Sequence, residues 1–438
     1  LSSTVVQQRT PRSSTVAGRT FSSLRRRNYR LWFFGQTVSQ SGTWMQSVAQ
    51  MALVLFHLHG SALDLGITAA LQFGPVLVLG PFGGLLADRF DKRKLLLATQ
   101  TAFTAQALAL GILVATGSAR LWMVWALAFV MGAINSVDNP ARQSFLVELV
   151  GPKDLANAVG LNSVTNNASR IVGPAIAGIL IVTVGMSWTF MLNAASFFAV
   201  LAALWAMRSS DLHRLPPVAR AKGQIREGLR YAWGTWQLRV PLLMVAVIGT
   251  LAYNFSVILP LFAPVFHRGA GTYSAMTTAM GVGALIGALA AAARRRPGYR
   301  LLVLVTSAFG VFIAAVAAAP SLPLMLLLMV PMGTASVLFI ATANSLLQLH
   351  SSDAMRGRVM ALWAMVFLGS TPIGGPLTGV AVAHFGVRLT MAFGGVATLL
   401  TAAAAGFALR RIRGEGRAAR AVAAREARLV IGAAGSSL

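Results

Sequence analysis

The sequence predicts an all-α integral membrane protein of twelve transmembrane helices, arranged as two pseudo-symmetric six-helix bundles. Three observations carry this expectation. They are the number and length of the apolar runs, the alternation of basic and nearly uncharged loops, and an internal repeat with a period of about 200 residues.

The apolar runs set the class. The chain has 438 residues, of which 56% are hydrophobic and 11% charged. Soluble domains carry about 25% charged residues, so a water-soluble chain of this composition would lack a solvated surface. A helix needs roughly 20 apolar residues to cross the hydrocarbon core. Runs of that kind fall at 31–57, 65–87, 95–117, 121–138, 157–185, 187–207, 240–266, 272–293, 300–320, 322–349, 359–384 and 388–409. None alternates in the manner of a barrel strand, so the runs are read as helices. Their wealth of Gly and Ala suits close helix packing in lipid.

The net charge of +26 invites a nucleic-acid reading, and its placement argues against one. Thirty-three of the 37 basic residues cluster before residue 31, at 89–94, at Arg142 and Lys153, at 208–239, at 294–300, at Arg356 and Arg358, and after residue 409. Every second loop is therefore basic, which is the positive-inside pattern. It predicts a bacterial inner-membrane protein with both termini in the cytoplasm and an even number of spans. Membrane lipid, not nucleic acid, is the partner this charge implies.

Organisation along the chain follows. Residues 1–30 are basic and polar without an apolar centre, so no cleaved signal peptide is expected there and the first run acts as its own insertion signal. Residues 31–207 form a first six-helix bundle, 208–239 a cytoplasmic central loop, 240–409 a second bundle, and 410–438 a basic tail. Within the loop, Ile225–Trp236 reads as an interfacial helix. Gly173-Pro174 in the fifth run recurs as Gly375-Pro376 in the eleventh, and Gly185 recurs as Gly386. Two repeated halves with a binding site between them near the midplane are a transporter architecture.

Several chemistries are not expected. There is no cysteine, so neither disulfides nor thiol catalysis arises. No Walker loop is present, the six histidines lack metal-ligand spacing, and no helix pairs a nucleophile with a base. The chain is read as a non-enzyme with no cofactor and no metal.

The loop after the second run carries Gly84, Asp88, Arg89, Asp91, Lys92 and Arg93. Here the chain resembles the major facilitator superfamily, whose signature in this loop is Gly-x-x-x-Asp-Arg-x-Gly-Arg-Lys. Asp91 stands where the family has glycine and Lys92 where it has arginine. The resemblance implies a conformational latch. Asp88 faces the positive end of a neighbouring helix, and Lys92 or Arg93 pairs with an acid elsewhere. Asp138 is the expected partner, with Arg142 beside it. The second-half loop keeps the cations Arg294, Arg295 and Arg296 without an acid.

The fifth run resembles the family's antiporter motif, Gly-x8-Gly-x3-Gly-Pro-x2-Gly-Gly. Gly160, Gly173, Pro174 and Gly178 match it, while Ser169 and Ala177 replace glycines. With the stretch Asp138–Gln143, it points to the enterobactin-exporter-like and multidrug efflux branch, and so to export in exchange for protons. The bland reading of the same residues is close packing and a proline bend.

Polar residues inside membrane helices are functional candidates by default. Gln36, Gln40, Thr43, Ser47 and Gln50 share one face of the first helix, with Trp44 beside them. Asn162, Asn166 and Arg170 follow at four-residue intervals on the fifth. In the family, spans one, four, seven and ten usually line the cavity. That adds Asn135, Tyr253, Asn254 and Asn344, with Phe255, Trp363 and Phe367 as aromatic surface. Packing or interhelical hydrogen bonding is the competing account of each.

A proton carrier is harder to place. No carboxylate lies near a midplane, which leaves Asp64 at the outer end of the second run and Asp138 near the inner end of the fourth. His57 and His59 lie at the outer end of the first run. The expectation is a monomeric exporter of amphipathic small molecules, drugs or a siderophore, coupled to protons. An uptake carrier or facilitator would instead accumulate its substrate inside cells. A scaffold or enzyme would be indifferent to substitutions in a polar cavity.

Overall fold

The computed structural model describes residues 22–213, 224–294 and 297–435, and no strand occurs among them. Most of segment 1–30, the middle of the central loop at 214–223, and Arg295 and Arg296 lie outside the described residues. So do the side chains of Lys153 and of the tail beyond Arg411.

The first helix, α1 (Arg27–Ala52), ends in a π-helical turn at Leu53–His57. It is polar for a spanning helix, yet Gln36, Ser39, Gln46 and Gln50 are all buried. Interhelical hydrogen bonds account for part of this. Gln46 Nε2 donates to Gln106 Oε1 at 2.9 Å, and Asn193 Nδ2 donates to Gln46 Oε1 at 2.7 Å.

Next come α2 (Ala62–Arg89) and α3 (Lys92–Ala115). A capping box opens α2: Ser61 N donates to Asp64 Oδ2 at 2.7 Å, and Asp64 N donates to Ser61 Oγ at 3.3 Å. Asp91 caps α3 by accepting from Lys94 N at 3.0 Å.

The fourth run, expected at 121–138, is the start of a much longer helix. α4 runs from Leu121 to Thr183 and is broken at Gly151, where φ is 66° and ψ is 175°. That region of backbone space is essentially glycine-only, so the sharp turn between the two arms needs this residue. Residues past 138 stay helical because Ala141, Phe145, Leu149 and Val150 continue the buried stripe. α5 (Met186–Ala206) completes this half.

In the second half, α6 (Gln224–Gly234) is the amphipathic helix expected in the central loop. The run at 240–266 is not continuous. α7 (Trp236–Leu251) stops, and helix resumes only in the short α8 (Phe255–Ile258) and α9 (Phe262–Val265). α10 (Ala270–Ala293), α11 (Tyr299–Ala318) and α12 (Leu322–His350) follow. α13 (Asp353–Gly435) is broken at Gly386, where φ is 77° and ψ is 164°. Its repeat counterpart Gly185 has φ 97° and ψ 163°, so the paired glycines share one backbone shape.

Among the described residues, nine helices are long and apolar enough to cross a membrane, with Met355–Arg411 counted as one. The chain is a multi-pass membrane protein.

The halves meet through glycine seams and diverge along them. A Cβ at Gly66 on α2 would lie 2.5 Å from the Gly375 carbonyl oxygen on α13, and one at Gly178 on α4 would lie 2.8 Å from Ser274 Cβ on α10. Five helical turns from Gly178 on the same face is Gly160, and five turns from Gly375 is Gly357. A Cβ at either of those would meet nothing within 4 Å. The helices that touch at the end bearing the 58–61 loop are therefore apart at the other end.

Candidate functional site

Between the halves lies a cavity of about 310 Å³. Of the residues singled out in the sequence, Trp44, Ser47, Arg170, Tyr253, Phe255 and Phe367 line it. Phe73, Tyr273, Thr277, Ser336 and Thr371 line it too and were not anticipated. Phe73 sits in an apolar run where nothing local says which face turns inward, whereas Tyr273, Thr277, Ser336 and Thr371 are polar residues within their runs, which was a usable signal. The size suits a small ligand, and apolar lining with few polar groups is the usual make-up of such a site.

Aromatic rings form one wall. Tyr253 lies 5.4 Å from Phe255 and 6.0 Å from Phe367, centroid to centroid. Trp363 stacks on Phe367 at 5.9 Å and backs this wall without lining the cavity. Arg170 is the one charged side chain among the lining residues. Its guanidinium carbon lies 4.9 Å from the Trp44 ring centroid, and its Nε is buried without a hydrogen-bond partner.

Other expected cavity residues are elsewhere. Gln36 Oε1 accepts a hydrogen bond from Arg142 Nη1. Gln40 and Thr43 are half-buried outside the lining, and Thr43 donates to Ser39 O. Gln50 is buried with both amide atoms unpartnered. Asn135 donates to Met131 O at 3.1 Å, and Asn344 accepts from Gln348 at 2.5 Å. Asn162 and Asn166 are exposed on the diverging arm of α4. Asn254 belongs to a second, smaller cavity. The physical reason is common to most: a polar side chain in lipid takes the nearest acceptor, often its own helix.

The expected latch pairing is corrected. Asp138, fully buried, is bound not by Lys92 or Arg93 but by Arg142, four residues on along the same helix. Neighbours at i,i+4 meet directly, whereas the loop cations find nearer partners. Thr99 Oγ1 and Gln100 Nε2 also donate to Asp138 Oδ1, at 2.7 and 2.9 Å. Lys92 Nζ instead pairs with Glu148 Oε1 at 3.1 Å. Arg93 donates to Leu204 O at 2.8 Å, to Trp205 O at 3.2 Å and to Ser209 Oγ at 2.6 Å, capping the C-terminus of α5. Asp88 is half-buried, Arg89 exposed and Gly84 buried. Glu148 went unnoticed in the sequence, although its being one of only eleven acids was a usable signal.

The antiporter-like residues mark close approaches. A Cβ at Gly173 would lie 2.6 Å from Ser41 O, which holds α4 against α1, and Ser41 Oγ donates to Ser169 Oγ at 3.2 Å. Pro174 lies inside the helix, and Gly178 faces α10. Asp64 is committed to the cap of α2. At the opposite end from the seam, Arg358 Nη1 pairs with Glu227 Oε1 at 2.6 Å and fixes α6 to α13. Leu229 and Trp233 are left exposed on α6.

Comparison with known proteins agrees with this architecture. The family described as "transmembrane secretion effector" matches residues 18–430. The uncharacterized MFS-type transporter YfiS of Bacillus subtilis is 31% identical over 217 residues, 49% of this chain and 50% of that one. The chain thus aligns with about half the length of that relative. The enterobactin exporter EntS of Citrobacter koseri is 26% identical over 361 residues, covering 80% of this chain and 84% of its own. Among solved structures, a POT family transporter bound to a thioalcohol-conjugated peptide superposes with a TM-score of 0.73 at 11% identity, over 88% and 96% of the two chains. An inward-facing, unoccupied bacterial homologue of the human lysosomal transporter Spinster superposes with a TM-score of 0.70 at 14% identity, over 87% and 97%.

Proposed function

The chain belongs to the transmembrane secretion effector family of major facilitator transporters, and on that premise we propose that it exports amphipathic small molecules, drugs or a siderophore, in exchange for protons. The carrying observation is the cavity of about 310 Å³ between the halves, walled by aromatic rings and holding the single guanidinium of Arg170. Such a surface takes a flat apolar body with one polar end. The EntS relatives, named for an exported siderophore, support the direction.

In this reading the chain crosses the membrane twelve times. Three crossings add to the nine apolar helices. They are α1, whose amides are largely buried in the bundle, the second arm of α4, and the second arm of α13. The basic loops put both termini in the cytoplasm of a bacterial cell. The glycine seams then face outward and the diverging ends inward, so the protein stands open to the cytoplasm, ready to load. Domain limits at 31–207 and 240–409 follow from the same count. It works as a monomer.

Asp138 is the proton carrier in this scheme. It is fully buried and paired with Arg142, and Asp64 is occupied by its capping role. Protonating Asp138 frees Arg142, which also holds Gln36 of α1, and so loosens the join between α1 and α4. The test is transport in proteoliposomes under an imposed pH gradient, with lipophilic cations and catecholate anions as probes. Movement that collapses with the gradient and is lost in Asp138→Asn supports the scheme. Equilibration indifferent to the gradient would make the protein a facilitator or couple it to another ion, and would remove Asp138 as proton carrier.

A further inference from the structure

The break in α7 builds a second, much smaller site. Helix stops at Leu251 and resumes at Phe255, so the carbonyl groups of residues 251–253 fall outside the helical ladder. Two glycines let neighbouring helices close on this gap. A Cβ at Gly394 would lie 3.0 Å from Leu251 O, and one at Gly374 would lie 2.9 Å from Asn254 Oδ1. The space left is about 10 Å³; Asn254, Thr378 and Thr390 are the polar side chains bordering it, among apolar neighbours such as Ile258, Ile313 and Met391, and no charged residue lines it. That is room for one small sphere.

The polar atoms at this gap are mostly acceptors. Asn254 Nδ2 donates to Thr250 O at 2.7 Å, which fixes the amide so that Oδ1 is the free atom. Asn254 is 2% exposed, and that Oδ1 has no hydrogen-bond partner. Thr390 Oγ1 donates its proton to Gly386 O at 2.8 Å, which leaves its lone pairs. A water here could donate both its protons to these oxygens and accept from the Thr378 hydroxyl. A cation needs oxygen lone pairs alone. Neutral oxygens without a carboxylate suit a monovalent ion, since calcium and magnesium sites draw on carboxylates. Freed carbonyls at a broken membrane helix are a known way to coordinate sodium.

We propose that the α7 break, with Asn254, Thr378 and Thr390, binds one sodium-sized monovalent cation. Its place gives it a purpose. Thr378 lies between Gly375 and Gly379, both packed on α2 at the seam. Tyr253 and Phe255, on either side of Asn254, line the large cavity. The bound ion ties the cavity wall to the seam.

The test is equilibrium binding of radioactive sodium to the purified full-length protein in lipid nanodiscs, with N-methylglucamine as the replacement cation. It needs no substrate and no transport, so its outcome is separable from the export reading. The expected result is saturable binding of about one ion per chain. Asn254→Ala and Thr378→Val should weaken it at least tenfold, and Thr378→Ser should restore it. Absence of saturable binding to the unaltered protein would overturn the site and leave a buried water in its place. Equal binding by Thr378→Val and Thr378→Ser would overturn it as well.

Discussion

Arg170 rests against the face of Trp44, 4.9 Å from the ring centroid, with its Nε buried and unpartnered. A guanidinium at the membrane centre costs roughly 2.5–3.5 kcal/mol on insertion scales. A desolvated cation–π contact returns about 2 kcal/mol. Arg170 is therefore only partly satisfied at rest, and an anionic group on a ligand would complete it.

The first prediction follows directly. Arg170→Ala should slow transport of an aromatic anion by about tenfold, the equivalent of 1.4 kcal/mol, and leave a lipophilic cation unaffected or faster. Rates for the two dyes in the same vesicles give the answer. Equal loss for both would assign Arg170 to structure alone.

The ion pair of Lys92 and Glu148 makes the second prediction. The two side chains are 16% and 8% exposed. Removing one partner of a buried pair costs about 3–5 kcal/mol, and the residual exposure of Lys92 puts this pair at the low end. Glu148→Gln should lower the melting temperature and slow transport, while the exchanged pair Lys92→Glu with Glu148→Lys should recover much of both. A double-mutant cycle with no coupling would show that the two residues act independently.

These pairings show where sequence reading succeeds. Periodic apolar runs and loop charge are summed over many residues, so the helical membrane class was plain from them. Pairwise contacts are not summed. Asp138 lay within sight of Lys92, Arg93 and Arg142, and only the helix running on past residue 138 decided for Arg142. The Gln46, Gln106 and Asn193 chain joins residues 60 and 147 positions apart, and no local pattern announces it. The cavity was half legible. Charged and aromatic residues such as Arg170 and Phe367 stood out in sequence, whereas the facing of Phe73 or Tyr273 depended on how two bundles lean together.

The third prediction uses two glycines of the same long helix. Gly151 sits at φ 66° and ψ 175°, and an added Cβ would lie 3.2 Å from the His213 ring. Gly151→Ala should destabilise the protein by about 1–3 kcal/mol. Gly160 is helical with nothing within 4 Å of its Cβ position. Gly160→Ala should therefore be neutral or stabilise by up to about 1 kcal/mol. Thermal melting followed by tryptophan fluorescence would rank the pair, and the opposite order would refute the assignment of the break to Gly151.

The fourth prediction concerns the seam. The chain contains no cysteine, so a single introduced thiol reports without background. Asn162→Cys, on the exposed face of the diverging arm, should react readily with a membrane-impermeant maleimide in inverted vesicles. Adding Gly66→Val, which drives a side chain into the Gly375 carbonyl, should slow that reaction several-fold by forcing the seam apart. An unchanged rate would mean that the seam does not govern access to the arm.

The glycine contacts at one end of α4 and the open space at the other also have a mechanical meaning. Eighteen residues separate Gly178 from Gly160, which is about 27 Å of helix. The arm is thus a lever with its fulcrum among the smallest side chains in the protein. A rotation of about 10° there sweeps the far end by about 5 Å, roughly the width of an aromatic ring seen edge-on. A fulcrum at which Gly178 lies against the short Ser274 side chain has little slack, so nearly all of a small rotation is delivered to the far end.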